Sequence, residues 1–465
     1  LLAFSRLQTY RFYGKMNALN SSYRSVFIMP FSLQATAADL EMRLRNFRPI
    51  TLKPDWAQHL IFPSYAALSL RNVSHSIAAF LGAELLNPAP LDAAVWGGES
   101  LMGKINRVVA FLMDGMGYAY LQQLVDEDAE IAEIIHDLTD GRGFVPLTSV
   151  MPSTTAVALP SLWTGAAPGA TGMLGTLLYL REFSLIGDML HFGAAVGDKT
   201  PDTFDRWGLP VAKLVPVPGL AEVLAATGIE THMVAQRNLM GTGLSRILHR
   251  GVQHTHTYLS HTDSLLRLGD ALRLTRGKRA YVGDYWGDVD SISHMYGAYT
   301  GYTRQEIKMQ LRGLRDVLAD SSVRDGQTLV LILADHGHYD APNVIDIATH
   351  PAAAGIRDAM KMGLSGDSRL AYLHVRDGQR ETARHALEQH FGDVLAVLDV
   401  ETALEAGLYG TVLMPETVHR LGDLLLIPKA GWRLEDSRVL KYKMVSFHAG
   451  LDAREMLIPL LWTVI

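Results

Sequence analysis

The sequence has no cysteine among its 465 residues. Disulfides, thiolate metal ligands and a cysteine nucleophile are therefore excluded. No apolar run approaches the length of a membrane-spanning helix. A long basic run is also missing, and the net charge is −6, so a nucleic-acid polymer is a poor partner. Charged residues make up only 19% and hydrophobic residues 48%, which argues against wholesale disorder. Internal repeats and low-complexity tracts are absent. What remains is a chain able to bury a large core. Its length suits a large α/β core with an inserted second unit better than one simple domain. A mildly acidic chain of this kind can still bind phosphate where metals supply positive charge.

Periodicity is weak over residues 1–55, which read as a peripheral N-terminal extension. Within it, Arg24 to Ala37 loosely imitates a signal peptide, with a small-residue cleavage site at Ala35-Thr36-Ala37. Its apolar core is short and holds Pro30. A surface arm on a cytoplasmic protein is the favoured expectation, with export as the alternative. From about Leu60 the pattern becomes regular. Arg107 to Met113 is an apolar run closed by Asp114-Gly115, the signature of a strand buried on both faces. Glu230 to Gln236, Ala280 to Tyr285 and Leu329 to Leu333 read as further strands. Helices are expected at Asn72 to Leu81, Tyr118 to Val125, Thr155 to Thr164 and Thr303 to Leu318. Strands alternating with helices predict an α/β fold with a mostly parallel central sheet and helices on both faces. Residues 365–410 read as an inserted βαβα cap unit, leaving 56–364 and 411–465 as the catalytic core.

The chemistry-bearing residues cluster at the ends of these runs. Asp114 follows the first strand. Asp335 and His336 follow LVLILA, at the strand edge where α/β sheets bind ligands. Asp290 and His294 are one helical turn apart and can face one ion. His448 lies in FHAG near the C-terminus. Carboxylates and imidazoles at buried strand ends suit a pair of borderline-soft divalent metals. Thr155, next to Thr154, begins an expected helix, whose N-terminus favours an anionic phosphate. A metal-assisted hydroxyl there could serve as nucleophile. Around Leu174, Leu177, Leu178 and Tyr179 there is little basic charge apart from Arg181, which mildly favours diesters over monoesters. Tyr179, Tyr285 and Trp286 could stack on a base, although packing is the commoner use of such rings. His338 is a further polar residue beside the Asp-His-Gly segment. His191, His261 and His350 read as structural, since nothing in their spacing links them to the others.

Taken together, FLMDGMG, TSVMPSTTAVALPSLWTGAAPGATGMLG, DYWGDVDSISHMYG, ILADHGH and SFHAGLDAREMLIPLL resemble the alkaline phosphatase superfamily. The nearer likeness is to the type I phosphodiesterase/nucleotide pyrophosphatase family and its bacterial relatives, from about Leu60 onward. The resemblance implies two divalent ions, zinc by family habit, with manganese or iron compatible with the same ligands. It implies Asp290, His294 and His448 around one ion. Asp114, Asp335, His336 and Thr155 would surround the other. It implies Thr155 as the nucleophile, with Thr154 the neighbouring alternative. Where nucleotide pyrophosphatases often carry a phosphate-binding asparagine, this chain has Thr176, which weakens transfer of nucleotide specificity. The expected substrate is a small phosphoric diester or nucleotide pyrophosphate. A phosphomonoesterase, phosphonate hydrolase or phosphomutase, or a silent phospho-ligand-binding member, stands as the alternative.

Overall fold

Arg107–Met113 forms β1, buried at every position, and sits at the centre of a seven-stranded sheet. The computed structural model describes residues 31–49, 52, 55–210 and 214–465. The chain continues through β2 (Phe144–Thr148), β3 (Leu177–Leu180), β4 (Leu185–Asp188), β5 (Gly193–Ala194) and β6 (Glu230–Gln236). Next come β7 (His254–Tyr258), β8 (Ala280–Trp286), β9 (Thr328–Leu333), β10 (Tyr339–Asp340), β11 (Asn343–Asp346) and β12 (Ser365–Asp367). The last six are β13 (Leu370–Leu373), β14 (Leu395–Asp399), β15 (Leu424–Pro428), β16 (Trp432–Glu435), β17 (Ser446–Phe447) and β18 (Leu457–Val464).

The main sheet runs β2-β18-β9-β1-β8-β6-β7. Neighbours from β9 to β7 pair in parallel, and β18 alone runs antiparallel, to both β9 and β2. Such a sheet carries its polar business at the strand ends, because its interior positions are apolar on both faces. The helices expected from periodicity form at Leu70–Phe80, Tyr118–Glu127, Thr155–Thr164 and Gly301–Ala319, with ends shifted by at most a few residues. In the last, Ile307, Leu311, Leu314 and Leu318 are fully buried or nearly so, the apolar stripe of an amphipathic helix. The signal-like stretch falls largely outside the described residues. Its end belongs to the helix Phe31–Asn46, which buries Leu40 and Leu44 and lies against β2.

A second seven-stranded sheet has the order β14-β15-β13-β12-β3-β4-β5 and is antiparallel throughout. The strands and helices read over 365–410 form in the expected order, with helices at Arg380–Phe391 and Val400–Glu405. The sheet is nevertheless wider than that span. β13 and β14 are not neighbours, since β15 from beyond residue 410 lies between them. On the other side β12 meets β3, bringing in residues 177–194. Pairing between short strands so far apart leaves no mark in local spacing.

Small pieces then fix the loops. β10 pairs with β17, so the turn after His338 is tied to the one before His448. The Ala449 N–H donates to Ser153 O at 2.8 Å, joining the His448 loop to the threonine segment. Arg369, between β12 and β13, meets the buried Glu455 at 2.8 Å, and Glu455 also accepts from the Gly450 N–H at 2.9 Å. The second sheet is thereby anchored to the loop that carries His448.

Candidate active site and metal-binding groups

Four strand ends and one helix start converge. Asp114 directly follows β1, and Asp335 and His336 follow β9 after Ala334. Asp290 and His294 occupy one face of the helix Asp288–Tyr296, which follows β8. Thr155 is the first residue of its helix, with Thr154 as N-cap. Gly115 has φ +77, and a Cβ there would lie 2.9 Å from the His338 ring and 3.0 Å from the Asp290 backbone. Only glycine lets Asp114 and Asp290 approach this closely.

Two groups of donors result. In the first, His294 Nε2 lies 3.3 Å from Asp290 Oδ1 and 3.2 Å from His448 Nε2. His448 Nε2 is 3.5 Å from the same carboxylate oxygen. In the second, His336 Nε2 lies 3.3 Å from Asp114 Oδ1 and 3.5 Å from Asp335 Oδ2. Thr155 Oγ1 adds to it, 3.1 Å from His336 Nε2 and 3.4 Å from Asp114 Oδ2. Ligand atoms arranged tetrahedrally about 2.0–2.1 Å from one ion stand roughly 3.4 Å apart. Both groups have that edge length, so the residues fit two divalent ions.

The surroundings agree. His294 Nδ1–H donates to Ser446 O at 2.7 Å, and His336 Nδ1–H to Gly337 O at 3.2 Å. Each bond leaves Nε2 with a free lone pair aimed into the group. Asp335 Oδ1 accepts from the N–H groups of Gly115 and His336, while its buried Oδ2 has no hydrogen-bond partner. Burial, then the charges of Asp335 and Asp290, hold the Asp114 carboxyl well above its usual range. Burial and then His336 push the His448 imidazole well below its usual range, so it is neutral as a ligand must be. Acids crowded without cations are costly, and bound metal ions reverse that cost.

All seven residues expected at the metal groups are together here. Thr176 is nearby: its Oγ1 lies 3.3 Å from Thr154 Oγ1, and its N–H donates to Asp367 Oδ2 at 3.1 Å. Tyr179 is not brought to the group. β3 carries it away, and its ring packs edge-on against His374, with centroids 5.0 Å apart. Arg181 is likewise engaged elsewhere, with Glu416 and His419.

Other residues join these groups. Tyr285 donates its hydroxyl to Asp114 Oδ2 at 2.5 Å, a bond and not a stacking role. His338 Nε2 lies 2.8 Å from Asp290 Oδ1. Asp367 comes from the second sheet, its carboxyl raised to about 6 by burial against the bonds from Thr176. A cavity of about 490 Å³ opens beside Thr155, walled largely by Leu159, Trp163, Met233, Leu239, Leu244 and Leu248. Its polar lining includes His249 and His191. β4 and β5 turn His191 to the cavity rim, where it pairs with Asp188 at 2.8 Å. The indole N–H of Trp163 and Nδ1 of His249 are buried without partners. Among the described residues, neither Lys nor Arg lines this cavity.

A mostly parallel sheet with two carboxylate–imidazole groups and a helix-opening threonine at its strand ends is the arrangement of an alkaline phosphatase-like hydrolase. The chain belongs to the type I phosphodiesterase/nucleotide pyrophosphatase family, whose sequence pattern matches residues 108–450. No curated protein matches the sequence. Among solved structures, the fold is similar to murine ectonucleotide pyrophosphatase/phosphodiesterase 5 in an inactive form with AMP. That match has a TM-score of 0.57 at 15% identity and covers 77% of this chain and 87% of that one. The human counterpart gives 0.57 at 16%, over 77% and 88%. Phosphonoacetate hydrolase from Sinorhizobium meliloti 1021 with phosphonoformate gives 0.52 at 17%, over 78% and 91%. Among the described residues no helix is long and apolar enough to cross a membrane.

Proposed function

We propose that this enzyme hydrolyses small phosphoric diesters through a covalent phospho-Thr155 intermediate. The observation that carries the diester reading is the apolar cavity beside Thr155. A monoester brings a second negative charge that needs cationic partners, whereas a diester brings a second ester arm that needs apolar surface. The cavity offers the surface and, among the described residues, no Lys or Arg. A small acid such as a phosphonocarboxylate would find no cation there, which disfavours the phosphonate alternative.

Bound at the two groups, divalent ions would favour the threonine alkoxide and neutralise charge on the phosphoryl oxygens. The chain's own residues do the rest. Asp114 and His336 hold Thr155 Oγ1 in place. Thr155 Oγ1 bonds to phosphorus as the bond to the departing ester oxygen breaks. The N-terminus of its helix, with the helix dipole, would favour the developing negative charge. Thr176 Oγ1, beside Thr154, is positioned to donate to a phosphoryl oxygen. Water then cleaves the phospho-threonine and restores the hydroxyl.

The test is a paired comparison of an aryl phosphodiester and the matching aryl monoester with zinc present. A higher kcat/KM for the diester is expected. A monoester preference of about tenfold, roughly 1.4 kcal/mol of transition-state stabilisation, would turn the reading to a phosphomonoesterase.

A further inference from the structure

At the opposite end of the main sheet from Thr155, three imidazoles and a carboxylate gather on one face of its open edge. Glu230 and His232 are the first and third residues of β6, and His254 and His256 the first and third of the edge strand β7. The parallel register places His232 opposite His254. Residues two apart on a strand share a face, so all four side chains meet. The His232 and His254 rings stack with centroids 4.6 Å apart. His232 and His256 stack at 5.4 Å.

We propose that Glu230, His232 and His254 form a separate binding site for a divalent transition metal of the zinc type, with His256 orienting His232. The geometry is that of a ligand set. Candidate ligand atoms of the three all lie within 4.8 Å of one another. Glu230 Oε2 stands 3.4 Å from His232 Nε2, the edge of a tetrahedron with bonds of about 2.0–2.1 Å. His232 Nδ1 lies 3.1 Å from His256 Nε2. A proton on Nδ1 donated to His256 leaves Nε2 free for metal, the usual device that fixes a ligand's tautomer. His232 is fully buried. Imidazole-rich sets select zinc, nickel or copper over magnesium or calcium.

Lys278 Nζ stands 3.1 Å from Glu230 Oε1. A bound ion replaces that ammonium. The ion then links β6 to β7, which otherwise presents an unpaired backbone edge.

The experiment measures zinc bound per chain, with the two catalytic groups silenced by Asp114→Asn and Asp290→Asn. One equivalent of zinc is expected to remain in that background. It should be lost when His254→Ala and His256→Ala are added; His254 is exposed, so its replacement leaves the core intact. With the catalytic groups intact, the His254→Ala/His256→Ala protein should keep its turnover and bind one zinc fewer than the parent. Lys278→Met should tighten zinc at this site by about tenfold. Amide exchange over 254–258 should slow on adding zinc to the parent and not to the double variant. Equal zinc content with and without His254 and His256 overturns the proposal. So does weaker binding in Lys278→Met. Neither result bears on the diester reading, which rests on other residues.

Discussion

Two adjacent threonines separate cleanly by what their hydroxyls meet. Thr155 Oγ1 faces Asp114 and His336, whereas Thr154 Oγ1 faces Thr176. Thr155→Ala should therefore keep the fold and the metal content and lose turnover by about three orders of magnitude or more. Thr154→Ala should fall by far less, because it removes only a neighbour of a phosphate donor. The reverse ranking in single-turnover assays would move the nucleophile by one residue. His338 acts one step further out. Its Nε2 holds Asp290 Oδ1 at 2.8 Å, and its ring fills the space over Gly115. His338→Leu should weaken metal at the Asp290–His294–His448 group by roughly 10–100-fold, the usual cost of removing such a partner. His338→Gln keeps a donor and should recover part of it. Competition with a metallochromic chelator reads both, and wild-type affinity in His338→Leu would show that Asp290 needs no such support.

At the scale of elements, the second sheet is coupled to the site by Asp367 and Arg369, and its stability depends on a buried histidine. His374 follows β13 and is buried, with Nε2 3.2 Å from Ser365 Oγ. Burial depresses its imidazole to about 4. The unfolded chain therefore takes up this proton more readily than the folded one. Its contribution is fully present above about pH 6.5 and is lost as pH falls toward 4, by roughly 3 kcal/mol in the limit. His374→Gln should flatten the stability slope between those values. Urea midpoints measured from pH 7 down to pH 4 check this, and identical slopes in the two proteins would refute it. The same elements show what local pattern conveys. Asp114 and Asp335-His336 were legible because parallel strands buried on both faces read as apolar runs that stop at a polar residue. The helix Thr155–Thr164 was legible because Gly165, in the left-handed region, closes it. Asp367 was not legible. It lies 191 positions from Thr176 and reaches it only because β12 pairs with β3. The cavity lining was hidden for the same reason, since Trp163, Met233 and Leu248 sit on three elements whose meeting is set by tertiary packing.

For the molecule as a whole, the decisive feature is acidic charge buried with no Lys or Arg beside it among the described residues. Asp114 and Asp335 are shielded from solvent beside each other, and Asp290 raises the Asp114 carboxyl further. Isolated buried carboxylates cost several kcal/mol each, and among the described residues no Lys or Arg stands at either group to offset them. Metal uptake should therefore stabilise the fold as well as enable turnover. A ligand at a hundred times its Kd adds about 2.7 kcal/mol per site, so two ions give roughly 5 kcal/mol. Strong chelation should abolish turnover and lower the melting midpoint by several degrees, and added zinc should restore both. Purified protein should carry up to two ions at these groups. Binding should tighten as pH rises, because a raised Asp114 must release its proton to become a ligand. Scanning calorimetry with and without chelator, paired with metal analysis, measures this. Full activity and an unchanged midpoint in metal-free protein would contradict both the metal assignment and the reaction built on it.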